Sequence, residues 1–403
     1  MLGVLLALLV TATAVAQTGS VTIRVATFNL EDVRTASLMH GDDARLRSIA
    51  EVIQRLRPNV ILLNEITYDV PGAPDVPADA ETGQNARRFV EHYLSVPQAE
   101  GLRGLDFAAF MAPTNTGMPS GFDLDRSGEI VSEFPEPPAP PESGQTAEGR
   151  AFGGDCWGFG TFPGQYGMAL LVDRRLTIDS DNVRTFRLLP WSYMPGAFLP
   201  RDPETREPWY SEEELGLFRL SSKSHWDVPI LLPNGRVVHL LCSHPTPPAF
   251  DGPEMRNKKR NHDEIRFWAD YISGDSYIVD DANTPGGLEA GAVFVILGDL
   301  NADPDEGSSF KNPIERLLLT DDRIDASVVP RSEIEIAGLD ADDTSAFRLR
   351  VDYVLPSRGG RGGRGVEVLG AGVWRAIPPG RAEFPSDHFP VWADLRFGPP
   401  LER

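Results

Sequence analysis

Residues 293–304 read VFVILGDLNADP: an apolar run at 293–297, then a glycine, an acid and an amide at 298, 299 and 301. A short apolar run stopped by glycine reads as a strand buried on both faces. The polar groups then stand at its carboxyl end, where layered α/β enzymes open their sites. If the chain stays extended beyond Gly298, Asp299 and Asn301 point to one side. An acid and an amide converging from one side form a hard-oxygen site suited to Mg²⁺ or Mn²⁺. Taken alone, Gly-Asp reads equally well as a turn.

The same grammar recurs three times. An alternating strand over 21–28 leads into Asn29 and Glu31, an apolar strand over 59–63 delivers Asn64 and Glu65, and Ser386-Asp387-His388 precedes a strand over 391–397. Further buried-type strands are expected at 167–172, 236–243 and 351–355. Residues 42–56 carry Leu46, Ile49, Ala50, Ile53 and Leu56 at helical spacing, ended by Pro58. A helix is expected around 86–94, and another with Asn261 as its N-cap carries Ile265, Trp268, Ala269 and Ile272. Residues 69–160 otherwise read as loop, with the prolines of 135–141 favouring extended chain. With neither repeats nor a linker, the pattern predicts one α/β catalytic domain over 17–403, with insertions at about 69–160 and 185–230.

The 403 residues hold 38 Lys+Arg against 59 Asp+Glu, a formal charge of −21. A 41% hydrophobic content excludes a mostly disordered chain. The acidity speaks against tracking along nucleic acid, where Lys and Arg supply the affinity. Residues 1–16, MLGVLLALLVTATAVA, are apolar and end in an A-x-A pattern, although no Lys or Arg precedes the run. That predicts a signal peptide and a secreted or periplasmic, monomeric protein without a membrane span. Cys156 and Cys242 are the only cysteines, and the sequence leaves a bridge and two free thiols both open.

Seven blocks, VATFNLE, NVILLNEI, QYGMALLVDRR, VVHLLCSHP, VFVILGDLNADP, RVDYVLPS and FPSDHFPVWADL, run in order from Val25 to Leu395. Together they resemble the endonuclease/exonuclease/phosphatase family, whose fold is DNase-I-like. The resemblance implies a four-layer α/β sandwich, two packed mixed β-sheets flanked by helices, and metal-dependent hydrolysis of a phosphoester. It implies Glu65 as principal ligand of Mg²⁺ or Mn²⁺, with Asn29 and Asp387 beside it and Glu31 as a further acid of the cleft. Asp299 and Asn301 match the pair that orients or deprotonates water, and His388 the catalytic histidine. Asp352 matches the acid that fixes that ring, His244 a second histidine, and Tyr166 lies near a phosphate-contacting tyrosine.

Outside the blocks, Arg260 closes the basic run RNKKR and is a candidate phosphate contact, with a solvated helix approach as its competitor. In SSKSHWD, Lys223 and His225 are further candidates, although a paired strand is the preferred reading. His40, His92, His239 and His262 are read as structural. The loop Asp123, Asp125, Ser127, Gly128, Glu129 begins like a calcium loop, but its late acid, Glu133, falls one position early. Ca²⁺ is thus an alternative ion, structural or catalytic, and a plain acidic turn competes. Three functions are carried forward: a phosphoesterase of small or head-group substrates, a nuclease on the same fold, and a binding protein without activity.

Overall fold

The structure is a computed structural model that describes residues 19–137, 145–358 and 366–400. The expected signal peptide at 1–16 lies outside the described residues, as does the proline stretch beyond 137. The strands in chain order are β1 (Val21–Val33), β2 (Val60–Ile66), β3 (Phe107–Phe110), β4 (Met168–Asp173), β5 (Thr177–Ile178) and β6 (Arg184–Thr185). They continue with β7 (His225–Leu231), β8 (Val237–Ser243), β9 (Phe294–Asp299), β10 (Asp352–Pro356), β11 (Val366–Val373) and β12 (Val391–Phe397). One sheet runs β11-β12-β1-β2-β4-β3 and the other β10-β9-β8-β7-β5, with β6 also on β7. Each sheet holds one parallel pair, β1–β2 in the first and β8–β9 in the second.

Alternation along the strands builds the layers. Ile23 and Val25 of β1 face inward with Val238, Leu240 and Cys242 of β8, forming a core between the sheets. Ala26 and Phe28 face outward against Leu46, Ile49, Ile53 and Leu56 of the helix Ala44–Leu56. Asp43 starts that helix by accepting from Leu46 N at 2.9 Å. On the far side, Leu241 and Ile296 pack against Ile265, Trp268 and Ile272 of the helix Arg256–Ser273. This is the four-layer α/β sandwich of two mixed sheets and flanking helices.

Several elements differ from expectation. Asn261 does not cap the second long helix. The chain is already helical through RNKKR, Met255 (φ 56°) precedes it, and the Asp251 carboxylate takes Asn257 N and Lys258 N at 2.7 and 2.8 Å. Asn261, wholly buried, donates to Thr246 O and Leu300 O at 2.8 and 3.0 Å and so ties the loops after β8 and β9 together. The region 69–160 holds the expected helix, Asn85–Phe89 continued by Val90–Leu94, and also β3 and the helix Ala147–Gly154, while 185–230 contains most of β7. Cys156 and Cys242 are both buried and free.

Candidate active site

The carboxyl ends of the two parallel pairs meet at one edge of the sandwich. Asn29 of β1 lies beside Asn64 of β2, and beyond them the ladder shifts. Glu31, Asp32 and Glu65 all take left-handed φ, 55°, 52° and 62°, a conformation non-glycine residues rarely hold and one that concentrates at functional sites. Asn29 Nδ2 donates to Glu65 Oε1 at 3.1 Å and to Asp299 Oδ2 at 3.0 Å, so one amide joins acids from both sheets. Asp32 N donates to the second Glu65 oxygen at 3.1 Å.

Asp299 and Asp352 are directly opposed across β9 and β10. Like charges so placed repel unless a cation stands between them. His388 stands there: Nδ1 donates to Asp352 Oδ2 at 2.9 Å, and Nε2 lies 3.8 Å from Asp299 Oδ2. His244 Nε2 is 3.4 Å from the same Asp299 oxygen and 4.0 Å from Glu65 Oε1. Burial works against charge on His388, but Asp352 and Asp299 outweigh it and carry its pKa up to about 10. The ring is therefore an imidazolium at neutral pH. Burial also lifts Asp352, to about 6, against the pull of His388. Asp299 feels the same burial, yet His388, His244 and the Asn29 amide hold it below the usual carboxylate range.

Ser386 positions the ring by accepting His388 N at 3.1 Å while donating to Asn29 O at 2.8 Å. Asp387, half-buried, is raised by burial and by the neighbouring Glu31 and Asp299, with His388 opposing. Its backbone N–H donates to Glu31 Oε2 at 3.2 Å, so Glu31 stands at the exposed rim beside it.

Asn301 departs from the extended geometry. Its φ is 53°, its N–H caps Asp299 Oδ1 at 2.9 Å, and its Nδ2 donates to Pro245 O at 3.1 Å. The left-handed turn, rather than a two-residue alternation, brings it next to His244. Tyr166, half-buried, is raised by burial and by Asp32 and Glu65, which places it on the Glu65 side; its hydroxyl accepts from Gln145 at 3.2 Å. Lys223 is buried within the field of Glu65 and Asp299. Arg260 turns Nε and Nη2 to the carbonyls of Trp157, Arg219, Leu220 and Ser221 at 2.6–3.0 Å, which gives the guanidinium a structural role. His225 is structural, between Ser221 Oγ and Glu264 O, both at 3.0 Å.

Two supports had been given no role by the sequence reading. Asn64 Oδ1 accepts from Thr27 Oγ1 and Asp299 N at 3.2 and 3.3 Å, bridging the sheets beneath the site. Asp32 binds Arg34 at 2.9 Å and Gln165 at 3.1 Å. The signal for Asn64 was its place one residue before Glu65; Asp32 gave none beyond its charge.

Asp299, Asp352 and His388 bring one ligand atom each within 4.8 Å, but they are engaged with one another. The oxygen donors left for a divalent ion are Glu65, Asn29 and Asp387, with Glu31 at the rim. The chemistry of this donor set suits one: Glu65 and Asp387 are carboxylates, Asn29 offers the Oδ1 that also accepts Glu31 N at 3.0 Å, and crowding by Glu31 and Asp299 helps to raise Asp387. In the candidate calcium loop, Asp123 and Asp125 converge with Asp155, a residue the reading missed, and Glu129 is not in the group. Asp123 accepts from Ser127 N and Gly128 N, Asp125 from Ser127 N, and Asp155 from Leu124 N and Val131 N, at 2.8–3.0 Å. Ser127 Oγ is spent on Glu129 O at 3.3 Å. Backbone donors close the loop, and its three converging carboxylates keep lone pairs with which they could hold a cation.

A profile of the Endonuclease/Exonuclease/phosphatase family matches residues 27–388. No curated protein sequence matches the chain. Similar solved structures include an endonuclease/exonuclease/phosphatase from Beutenbergia cavernae, 18% identical over 94% of this chain and 72% of that one, with a TM-score of 0.48. The human Nocturnin catalytic domain with bound sulfate anion is 14% identical over 93% of each chain, with a TM-score of 0.44. An endonuclease/exonuclease/phosphatase from Bacteroides vulgatus is 12% identical over 94% of this chain and 99% of that one, also at 0.44.

Proposed function

The chain belongs to the endonuclease/exonuclease/phosphatase family, and from that premise we propose that it is an exported, divalent-metal-dependent phosphoesterase of small or head-group phosphoesters. One observation carries the reading: a buried Asp352–His388–Asp299 row beside Glu65 pairs a held imidazolium with an ionised carboxylate at one strand edge. Phosphoester hydrolysis needs those partners, an acid for the phosphoryl or leaving oxygen and an acceptor for water's proton.

Glu65, Asn29 and Asp387 would hold the ion, Mg²⁺ or Mn²⁺, whose chemistry there is to neutralise phosphoryl charge and polarise water. Asp299, ionised and held by the Asn29 amide, accepts the proton of the attacking water. Asn301 orients that water or a phosphoryl oxygen from the His244 side. His388 donates through Nε2, while Asp352 keeps the ring oriented and its positive charge compensated. Such positioned acid–base transfer contributes about 10²–10⁴-fold in rate.

The formal charge of −21 favours a compact ester over a long polyanion. Export rests on the apolar 1–16 stretch and its A-x-A end. Among the described residues, no helix is long and apolar enough to cross a membrane. A panel with Mg²⁺, Mn²⁺ or Ca²⁺ on p-nitrophenyl phosphate, its bis ester, a phospholipid and plasmid DNA tests the reading. Turnover of a small or head-group ester is expected. Plasmid cleavage without it would make the protein a nuclease, and no turnover with any ion would favour a binding role.

A further inference from the structure

Lys223 is a cation for which neither the fold nor the mechanism above accounts. It lies two residues before β7 and is 5% exposed. Its backbone is fixed from both sides. Asn115 N donates to Lys223 O at 2.9 Å, and the Glu264 carboxylate takes Ser222 N and Oγ at 2.6 and 2.9 Å. The paired-strand reading therefore holds from His225 onward, and Lys223 stands just outside it.

The ammonium's one hydrogen bond is a 3.4 Å contact to Pro245 O, and it forms no ion pair with a described residue. Pro245 O is also the acceptor of Asn301 Nδ2, so lysine and amide flank one carbonyl, on the residue next to His244. Burial lowers the Lys223 pKa and Arg260 adds to that, while the facing Glu264, Glu65 and Asp299 oppose it; the lysine acts in turn on His244. Glu264 is already engaged, by Ser222 and by Thr246 N at 2.6 Å. A buried ammonium with donors unspent is costly unless an anion reaches it.

We propose that Lys223 is a further catalytic residue, its ammonium receiving a non-bridging phosphoryl oxygen beside Asn301 and supplying a fixed positive charge there. The proposal rests on the phosphoesterase reading of the same site. It has a signature that a structural lysine lacks. Ion and ammonium share the field of Glu65 and Asp299 and repel each other, so losing the lysine weakens phosphate binding and strengthens metal binding.

The test titrates Mn²⁺ and then inorganic phosphate into wild-type protein, Lys223→Met and Lys223→Arg by calorimetry, alongside turnover and melting curves. For Lys223→Met, phosphate affinity falls about tenfold or more and kcat/KM about a hundredfold, as for loss of a charged transition-state donor. Mn²⁺ binds more tightly, and Lys223→Arg recovers part of the phosphate affinity. Unchanged phosphate affinity in Lys223→Met overturns the proposal, as does joint loss of both affinities with a lowered melting temperature. Glu65→Gln and His388→Ala separate the two layers. If they leave turnover intact, the phosphoesterase reading fails; if they abolish it while Lys223→Met binds phosphate normally, only the lysine's role fails.

Discussion

His388 and Asp352 show how two side chains set each other's chemistry. The 2.9 Å bond holds the ring with Nε2 toward Asp299, and the flanking acids keep it charged where an isolated histidine would be neutral. Asp352→Asn keeps the shape and removes the charge. It is expected to lower kcat by about 10²-fold or more while leaving Mn²⁺ affinity within a few-fold. Equal kcat in the two proteins would remove Asp352 from the mechanism. His225 makes the opposite case, since burial pushes its pKa down to about 4 despite the opposing carboxylate and carbonyl of Glu264. Its stabilising contribution is complete above the unfolded value near 6.5. As pH falls from there to 4, the unfolded chain takes a proton that the folded one refuses, costing up to about 3 kcal/mol. Urea unfolding between pH 7.5 and 4 should show a shallower acid loss for His225→Gln than for wild type; superimposable slopes would contradict this. Sequence marked His388, Glu65 and Asn29 because each stands at or near the end of an apolar run, and Asp352 through the family resemblance alone. It missed the structural role of Arg260, since nothing local says that carbonyls from 157 and from 219–221 converge on that guanidinium.

At the scale of elements, the site depends on how closely β8 and β9 approach. Gly298 has φ 145°, and a Cβ there would lie 1.9 Å from Ser243 O. A residue that reads as a turn glycine is in truth the close contact that sets Asp299 beside His244. Gly298→Ala should cost about 3 kcal/mol through clash and strained φ. The denaturation midpoint measures this, and an unchanged midpoint would mean the two strands have slack. Strands β2, β4, β8, β9, β10 and β12 were legible because each carries a nearly continuous apolar run. Strand β11 was not: its glycines at 370 and 372 break the alternation, and a glycine- and arginine-rich stretch precedes it. Strand β7 was read only at its start, in SSKSHWD, because Pro229 breaks the pattern and the partners of Asp227, Tyr271 and His239, belong to other elements. The start of the helix Arg256–Ser273 was misplaced because its cap, Asp251, acts across five intervening residues.

At the scale of the molecule, the order of blocks carried more information than any one of them. Composition excluded disorder, and the charge of −21 remains a bias on substrate rather than an identifier of class. Part of that charge is gathered where two sheets end together, in Glu31, Glu65, Asp299, Asp352 and Asp387. Acids from distant parts of the chain stay together there because His244, His388 and Asn29 stand between them. That arrangement is the central claim, and the hydrolysis of bis-p-nitrophenyl phosphate with Mn²⁺ or with chelator tests it most directly. Ion-dependent turnover is expected, falling by about 10²–10⁴-fold in Glu65→Gln and in His388→Ala, the latter measured below its own lowered melting temperature. Turnover at the wild-type rate in either variant, or turnover indifferent to chelator, would contradict it.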